Sequence, residues 1–467
     1  MEALVLAVDV GSTWCKAGYL DRQGHTVAAG RAYTRDIPVD RDVTLARFWD
    51  ACQAAIRAAT AQLPAGVYPA AISIATRALF GVCITHQGEA CLPGWDAKID
   101  RTTSPQVQAA YAAERWGEKD PAAYGYAMWQ AGFLLWLKAT RPTDWRAIRY
   151  VGALHDYLVY ALTGVWVTDP TSGPGQSEWP AEIISISGLP PTAFPQILEP
   201  QQVAGQLTAA AGQVLGLPAD IPVVTGLHDG TAANYGVRAM EVGDACLNLS
   251  TNFVLRAVNG PRLPPPATGY KVAADRWAWV NNVGGAATQL DIVAQCLRPD
   301  LLDVGEGHAH LGHLAAAIAP GAEGCVLPLV RPGAEADLHL AVHQARQDGY
   351  ADGVIYRAGL EAVAWGVHEL VQRAQGHGAR PQRYIATGGS SQNAALLRVL
   401  AAILAAPIAC GPAEGGVLGA AMAAAVGAGW YATMDAAMRH MSTPGSVIQP
   451  NPVAVEAYAQ LLQFKGG

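Results

Sequence analysis

Two stretches of this chain share one layout, and that layout narrows the folds open to it. The first is Leu4-Val5-Leu6-Ala7-Val8-Asp9-Val10-Gly11-Ser12-Thr13, running on through Lys16 to Leu20-Asp21-Arg22-Gln23-Gly24. An apolar strand delivers a lone aspartate to a Gly-Ser-Thr turn, and a second strand leads away to a polar turn. The turn offers backbone N–H groups and two hydroxyls, Gly11 lets a phosphate come close, and Asp9 supplies a carboxylate for a hydrated Mg2+. Taken alone, the segment reads equally well as a buried strand ending in a polar turn. The second stretch, Asp244-Ala245-Cys246-Leu247-Asn248-Leu249-Ser250-Thr251-Asn252-Phe253-Val254-Leu255-Arg256, repeats the layout, with Asn259-Gly260 as its next turn. Two hairpins of one design, each opening half of the chain, predict two similar domains with a nucleotide between them.

The 467 residues suffice for two or three domains of about 100–200 residues each. Hydrophobic residues make up 51% and charged residues 15%, so large cores are affordable in composition, and a net charge of −7 argues against a nucleic-acid groove. Residues 3–10 are too short for a signal peptide and follow Glu2 rather than a basic region. The uncharged stretch 415–434 is mostly Gly and Ala and reads as a tightly packed helix, not a membrane span. Eight cysteines without a CxxC pair read as reduced, buried thiols, which places the expected location in the cytoplasm.

Along the chain, strands and helices alternate, which predicts an α/β fold in both halves. Strands are expected at 4–8, 70–75, 82–85, 221–225, 245–258, 277–281 and 384–387. Helices are expected at 44–63, 126–138, 147–162, 287–297, 354–375, 393–404 and 417–426. The helix over 147–162 is expected to end at Thr163-Gly164 with glycine just past its last turn. The domain boundary is expected near 240–245, giving domains of 1–242 and 243–467.

Two further segments carry chemistry. In Pro222-Val223-Val224-Thr225-Gly226-Leu227-His228-Asp229-Gly230-Thr231 a buried strand delivers Asp229 to the mouth of a helix. That carboxylate either accepts a proton from a substrate hydroxyl or caps the helix, and the two roles are compatible. His228 beside it either orients the base or packs. In Tyr384-Ile385-Ala386-Thr387-Gly388-Gly389-Ser390-Ser391-Gln392-Asn393 paired glycines between strand and helix admit a flat base or a phosphate, or simply form a capped turn. Gly415-Gly416-Val417-Leu418-Gly419 offers another small-residue surface on which a purine fits. His308, His310 and His313 have metal-like spacing but read as solvated loop histidines, and His155-Asp156 reads as structural. Lys16 reaches a phosphate, although no P-loop spacing surrounds it.

In this order the segments resemble the FGGY carbohydrate kinase family of the sugar kinase, heat-shock ATPase and actin superfamily. Asp9-Val10-Gly11-Ser12-Thr13 resembles the first phosphate hairpin, and Ser250-Thr251-Asn252 falls where the second belongs. Leu158 to Gly164 with Val167-Thr168-Asp169, Gly226 to Gly236, Arg357-Ala358-Gly359-Leu360-Glu361 and Gly388 to Asn393 resemble further family segments. The resemblance implies two ribonuclease H-like domains with ATP and sugar in a cleft between them. It implies Mg2+ near Asp9, and phosphates near Gly11, Ser12, Thr13, Lys16, Ser250 and Thr251. It places adenosine near Gly388, Gly389 and Asn393, and Asp229 as the base.

The sugar side departs from the family pattern. Asp100 and Arg101, with Trp95 and Asp96 as the competing alignment, stand for the family's "W-x-D-x-R", and Arg77 and Leu79 replace an upstream Gln and His. Arg77 either favours an acidic sugar or forms a structural salt bridge. The second hairpin carries Ser250 where glycine is usual, which crowds a phosphate. The expected activity is ATP-dependent phosphorylation of a small sugar, a pentulose such as xylulose first and gluconate or another sugar acid or polyol next. A weakened nucleotide-dependent sugar sensor of the same fold is the rival reading. A small-molecule sugar is the expected partner, with no nucleic acid and no membrane, and a homodimer is left open.

Overall fold

Leu4–Val10 is apolar on both faces apart from Asp9, the pattern of a central strand covered from both sides. In the computed structural model it forms an antiparallel hairpin with Trp14–Leu20. The structure describes residues 3–37, 42–77, 80–93, 127–261, 263, 269–302, 306–443 and 445–465. The chain divides into two units. The first comprises Met1–Met240, Gly260–Ala278 and Gly415–Thr443, and the second Glu241–Asn259, Trp279–Glu414 and Pro444–Gly467.

In the first unit the sheet runs in the order Val203–Gln206, Pro222–Val224, Pro69–Thr76, Leu4–Val10, Trp14–Leu20, Thr26–Tyr33. Leu4–Val10 is parallel to Pro69–Thr76 and antiparallel to Trp14–Leu20, as a ribonuclease H-like sheet requires. The helix Ala46–Thr60 presents Phe48, Cys52 and Ile56 to this sheet, where they join Leu6, Val8 and Tyr19 in one core. Each such large apolar side chain contributes about 1.5–3 kcal/mol on burial. The small-residue helix Gly415–Gly427 also packs on Leu4–Val10 and Pro69–Thr76.

The second unit repeats the plan, with strand order Arg276–Val283, Phe253–Asn259, Asp244–Leu249, Arg383–Thr387, Ile408–Cys410, Val447–Ile448. Asp244–Leu249 and Phe253–Asn259 form the antiparallel hairpin, and Arg383–Thr387 runs parallel to the former. The Arg357–Glu361 segment lies in the buried helix Asp352–Gly376. Arg357 Nε donates to Glu361 Oε1 at 2.9 Å and Arg357 Nη2 to the Tyr458 hydroxyl at 2.8 Å, while that hydroxyl donates to Glu361 Oε1 at 2.7 Å. This motif therefore ties the helix Pro452–Lys465 into the core.

Two expectations change. The stretch 147–162 is not one helix: Ile148–Ala153 is a strand paired with Phe80–Thr85, and the helix is Leu154–Thr163. The run Ile-Arg-Tyr-Val-Gly suits a strand, and Asp156 accepts from the Ala153 N–H at 2.7 Å to start the helix. Gly164 does end it, at φ 73°. His308, His310 and His313 lie on the helix Gly307–Ala316, whose Leu311 and Ala315 are buried. They point to different partners: His308 faces Asp291 and Tyr356, and His310 faces Arg298. No cluster of three metal-ligating side chains occurs among the described residues. The small-residue stretch 415–419 packs closely within the first unit. A Cβ on Gly419 would stand 1.9 Å from the Ala232 carbonyl oxygen, and one on Gly236 would stand 2.0 Å from that of Gly415.

The Leu154–Thr163 junction also sets a pH dependence. Asp156 is buried, and a Cβ on Gly152 would stand 2.5 Å from its Oδ2. Burial pushes its carboxyl up to about 8. The folded chain thus keeps a proton that the unfolded chain releases near pH 4. The stabilisation is complete below that pH and is lost as pH rises toward 8, by up to about 1.4 kcal/mol per pH unit. Asp156→Asn is expected to flatten this slope. Urea unfolding of both proteins at pH 5 and pH 8 checks it, and an equal pH difference in the variant overturns it.

Candidate functional site

In the first unit three neighbouring parallel strands end together. Val10 is registered with Thr76, and Thr76 with His228. Their carboxyl ends release the turn Gly11-Ser12-Thr13, Arg77 and Asp229 onto one edge, where ligands of open α/β sheets bind. Lys16 stands directly opposite Asp9 across the hairpin. The turn is held from behind: Gly11 N–H donates to Trp14 O at 3.0 Å, and Thr34 donates to Gly11 O and Thr13 O at 2.9 Å each. Thr34 was invisible to sequence reasoning because it acts from just past the strand Thr26–Tyr33, two strands further along the chain. A Cβ on Gly416 would stand 2.3 Å from Asp9 Oδ2, so the glycine at the start of Gly415–Gly427 keeps the carboxylate's space open. Arg77 donates its N–H to Val10 O at 3.1 Å and lays its guanidinium over the Phe48 ring at 5.6 Å.

Asp229 is the first residue of the helix Asp229–Gly236, and it does not cap that helix. The cap is His228, whose Nδ1 accepts from Gly230 N–H at 3.2 Å. His228 Nε2 lies 3.1 Å from Asp229 Oδ1; the histidine side chain is 6% exposed and the aspartate 25%. The backbone N–H of His228 donates to Thr171 Oγ1 at 2.9 Å. Asp169 Oδ1 accepts from the N–H groups of Thr171 at 2.7 Å and Ser172 at 3.3 Å, and from the Thr171 hydroxyl. The Thr168-Asp169 segment thereby anchors the strand end that carries Asp229. The Tyr270 ring packs on the His228 ring at 4.4 Å.

In the second unit the register Asn248–Thr387 brings Ser250-Thr251 and Gly388-Gly389 to one strand edge. Gly388 has φ +90°, and a Cβ there would stand 2.7 Å from Ser250 Oγ, so this position requires glycine. A Cβ on Gly389 would meet nothing within 4 Å. The Ser250 hydroxyl turns back to Asn248 Oδ1 at 2.5 Å. Asn252 Oδ1 accepts from Gly285 N–H at 2.8 Å, tying the turn to the helix Ala286–Leu297. Gln289 on that helix donates to Pro328 O and accepts from Val330 N–H, both at 3.0 Å, and so holds the 328–330 loop. Asn393 caps the helix Ala394–Ile403, accepting from Ala395 and Leu396 N–H at 3.1 Å, while its Nδ2 donates to the Tyr356 hydroxyl at 3.1 Å. Its side chain thus fixes the loop shape. Asp100 and Arg101, with Leu79, Trp95 and Asp96, lie outside the described residues.

Comparison with known proteins gives two family models. Residues 4–236 match the N-terminal domain of the FGGY family of carbohydrate kinases, and residues 240–428 match its C-terminal domain. A xylulose kinase of Streptomyces rubiginosus is 29% identical over 328 residues, covering 65% of this chain and 65% of that protein. An L-fuculokinase of Salmonella typhi is 27% identical over 276 residues, covering 56% of this chain and 57% of that protein. The matched region thus spans less than two thirds of these relatives' length. Among solved structures, a xylulose kinase from Rhodospirillum rubrum (TM-score 0.77, 21% identity) and a gluconate kinase from Lactobacillus acidophilus (TM-score 0.77, 19% identity) share the fold. Each covers 99% of this chain, and the chain covers 97% of each.

Proposed function

We propose that this chain, which belongs to the FGGY family of carbohydrate kinases, transfers the γ-phosphoryl group of ATP to a hydroxyl of a small sugar. The observation that carries the reading is Asp229. It stands at the carboxyl-end sheet edge that the Gly11–Thr13 turn shares, and His228 relieves it of capping the helix. As the sugar oxygen attacks phosphorus, Asp229 takes the hydroxyl proton. The new O–P bond forms while the bond to the leaving ADP oxygen breaks, giving sugar phosphate, ADP and one released proton.

In this reading residues 1–242 supply the first phosphate hairpin, the sugar contacts and the base. Residues 243–467 supply the second hairpin and the adenosine contacts. Gly11, Ser12, Thr13 and Lys16 hold phosphates, and Ser250, Thr251, Gly388, Gly389 and Asn393 hold the nucleotide. Arg77, Asp100 and Arg101 contact the sugar. Asp9 fits Mg2+, a cation that takes oxygen ligands and binds through one or two carboxylates, because Gly416 keeps the space beside its Oδ2 clear. Bound there, Mg2+ neutralises charge on the phosphate oxygens. No helix among the described residues is long and apolar enough to cross a membrane, and we place the reaction in the cytoplasm.

The likeness to the Streptomyces xylulose kinase favours a pentulose as acceptor. Arg77, at the carboxyl end of Pro69–Thr76, favours a sugar acid such as gluconate as the second candidate. ADP release with Mg–ATP across ketoses, polyols and aldonic acids tests the reading. One compound raising turnover far above background supports it, and no stimulation by any of them despite ATP binding points to a sensor.

Ser250 bears on nucleotide affinity. Its hydroxyl is drawn onto Asn248, so Ser250→Gly is expected to change the Kd for ADP by less than about threefold, or ~0.6 kcal/mol. Titration calorimetry checks this, and a gain of tenfold or more shows that Ser250 does crowd the phosphates.

A further inference from the structure

We infer that His228 is a positioning residue for the base. In its neutral form, with the proton on Nε2, it holds one oxygen of Asp229 and presents the other to the acceptor hydroxyl. The inference rests on the reading of Asp229 as the base and adds which group aims it.

The geometry fixes the tautomer. Nδ1 faces the Gly230 N–H at 3.2 Å, and a backbone N–H only donates, so Nδ1 carries the acceptor lone pair. A neutral imidazole then bears its proton on Nε2, which lies 3.1 Å from Asp229 Oδ1. The ring has little freedom to exchange these roles. It is 6% exposed, it packs on Tyr270 at 4.4 Å, and its backbone N–H is tied to Thr171, which Asp169 holds in turn. One imidazole therefore caps the helix with one nitrogen and orients the carboxylate with the other. Asp229 Oδ1 is occupied, which leaves Oδ2 to receive the proton. An unheld carboxylate would rotate about its Cβ–Cγ bond, and loss of near-attack geometry costs up to about 10²-fold in rate.

Two variants separate the two jobs. In His228→Asn the shorter amide keeps an acceptor for Gly230 N–H, a favourable cap, but does not reach Asp229. In His228→Gln the amide nitrogen sits as many bonds from Cβ as Nε2 does, so donation to Asp229 persists while the cap is lost. His228→Asn is expected to keep its melting temperature and its KM values for ATP and sugar within about threefold, and to lose about 10- to 100-fold in kcat. His228→Gln is expected to melt at a lower temperature yet recover most of the kcat.

Long-range 1H–15N spectra of the histidine rings give a readout free of turnover. The signal missing from His228→Asn identifies His228, and it is expected to show an unprotonated Nδ1 and a protonated Nε2. A proton on Nδ1, wild-type kcat in His228→Asn, or kcat falling in step with melting temperature in both variants overturns the inference. If the wild type turns over no sugar while the expected tautomer is present, the proposed reaction fails and the His228–Asp229 contact stands.

Discussion

Asp229→Asn is expected to lower sugar-dependent turnover by about 10²–10⁴-fold, the range that a positioned general base contributes. The substitution is nearly isosteric, and the helix start does not depend on this side chain, because His228 supplies the cap. The amide oxygen still accepts from His228 Nε2, so the variant removes basicity with little change of shape. ATP affinity is expected to stay within about threefold of wild type, because the proposed phosphate contacts lie on the two hairpin turns. Steady-state ADP release together with nucleotide titration checks both halves. Turnover within tenfold of wild type would remove Asp229 from the role of base.

The second large effect concerns stability. Gly419→Ala is expected to destabilise the first unit by about 1–3 kcal/mol or more, in the manner of an overpacked core. A Cβ at this position would stand 1.9 Å from the carbonyl oxygen of Ala232, and the atoms it meets are backbone, with no flexible side-chain end to swing away. Relief demands that Gly415–Gly427 and Asp229–Gly236 move apart, and the second of these carries Asp229. Gly260→Ala is the control: a Cβ there meets nothing within 4 Å. Differential scanning calorimetry should show a drop of several degrees in the first variant and about none in the second. Equal melting temperatures would contradict the close helix contact.

Much of this was legible in the residues. The two hairpins announce themselves because a lone aspartate or a Ser-Thr turn interrupts an otherwise apolar period, and both sheets are built on them. The strand-to-glycine turns at Gly226 and Gly388 were readable for the same reason. What stayed hidden depends on contacts between distant segments. The strand at Ile148–Ala153 pairs with Phe80–Thr85, and its strand-forming residues were masked by the helical pattern of Leu154–Thr163 that follows directly. The close approaches at Gly416 and Gly419 involve partners about 400 and 190 residues away in sequence, Asp9 and Ala232. The exchange of capping duty from Asp229 to His228 turns on ring geometry, which no spacing rule encodes.

The first unit also has consequences for how the protein is made. Its sheet begins at Leu4, yet the helix that packs on Leu4–Val10 and Pro69–Thr76 begins at Gly415. During synthesis the early strands emerge some 400 residues before this partner, at about 5–20 residues per second. For tens of seconds the apolar face destined for Gly415–Gly427 has no cover of its own, and the sheet cannot settle until almost the whole chain has left the ribosome. Contacts of such separation fold slowly, so the nascent chain has most need of chaperone protection on this face. A gene cut after Met240 would yield a fragment that keeps the exposure permanently.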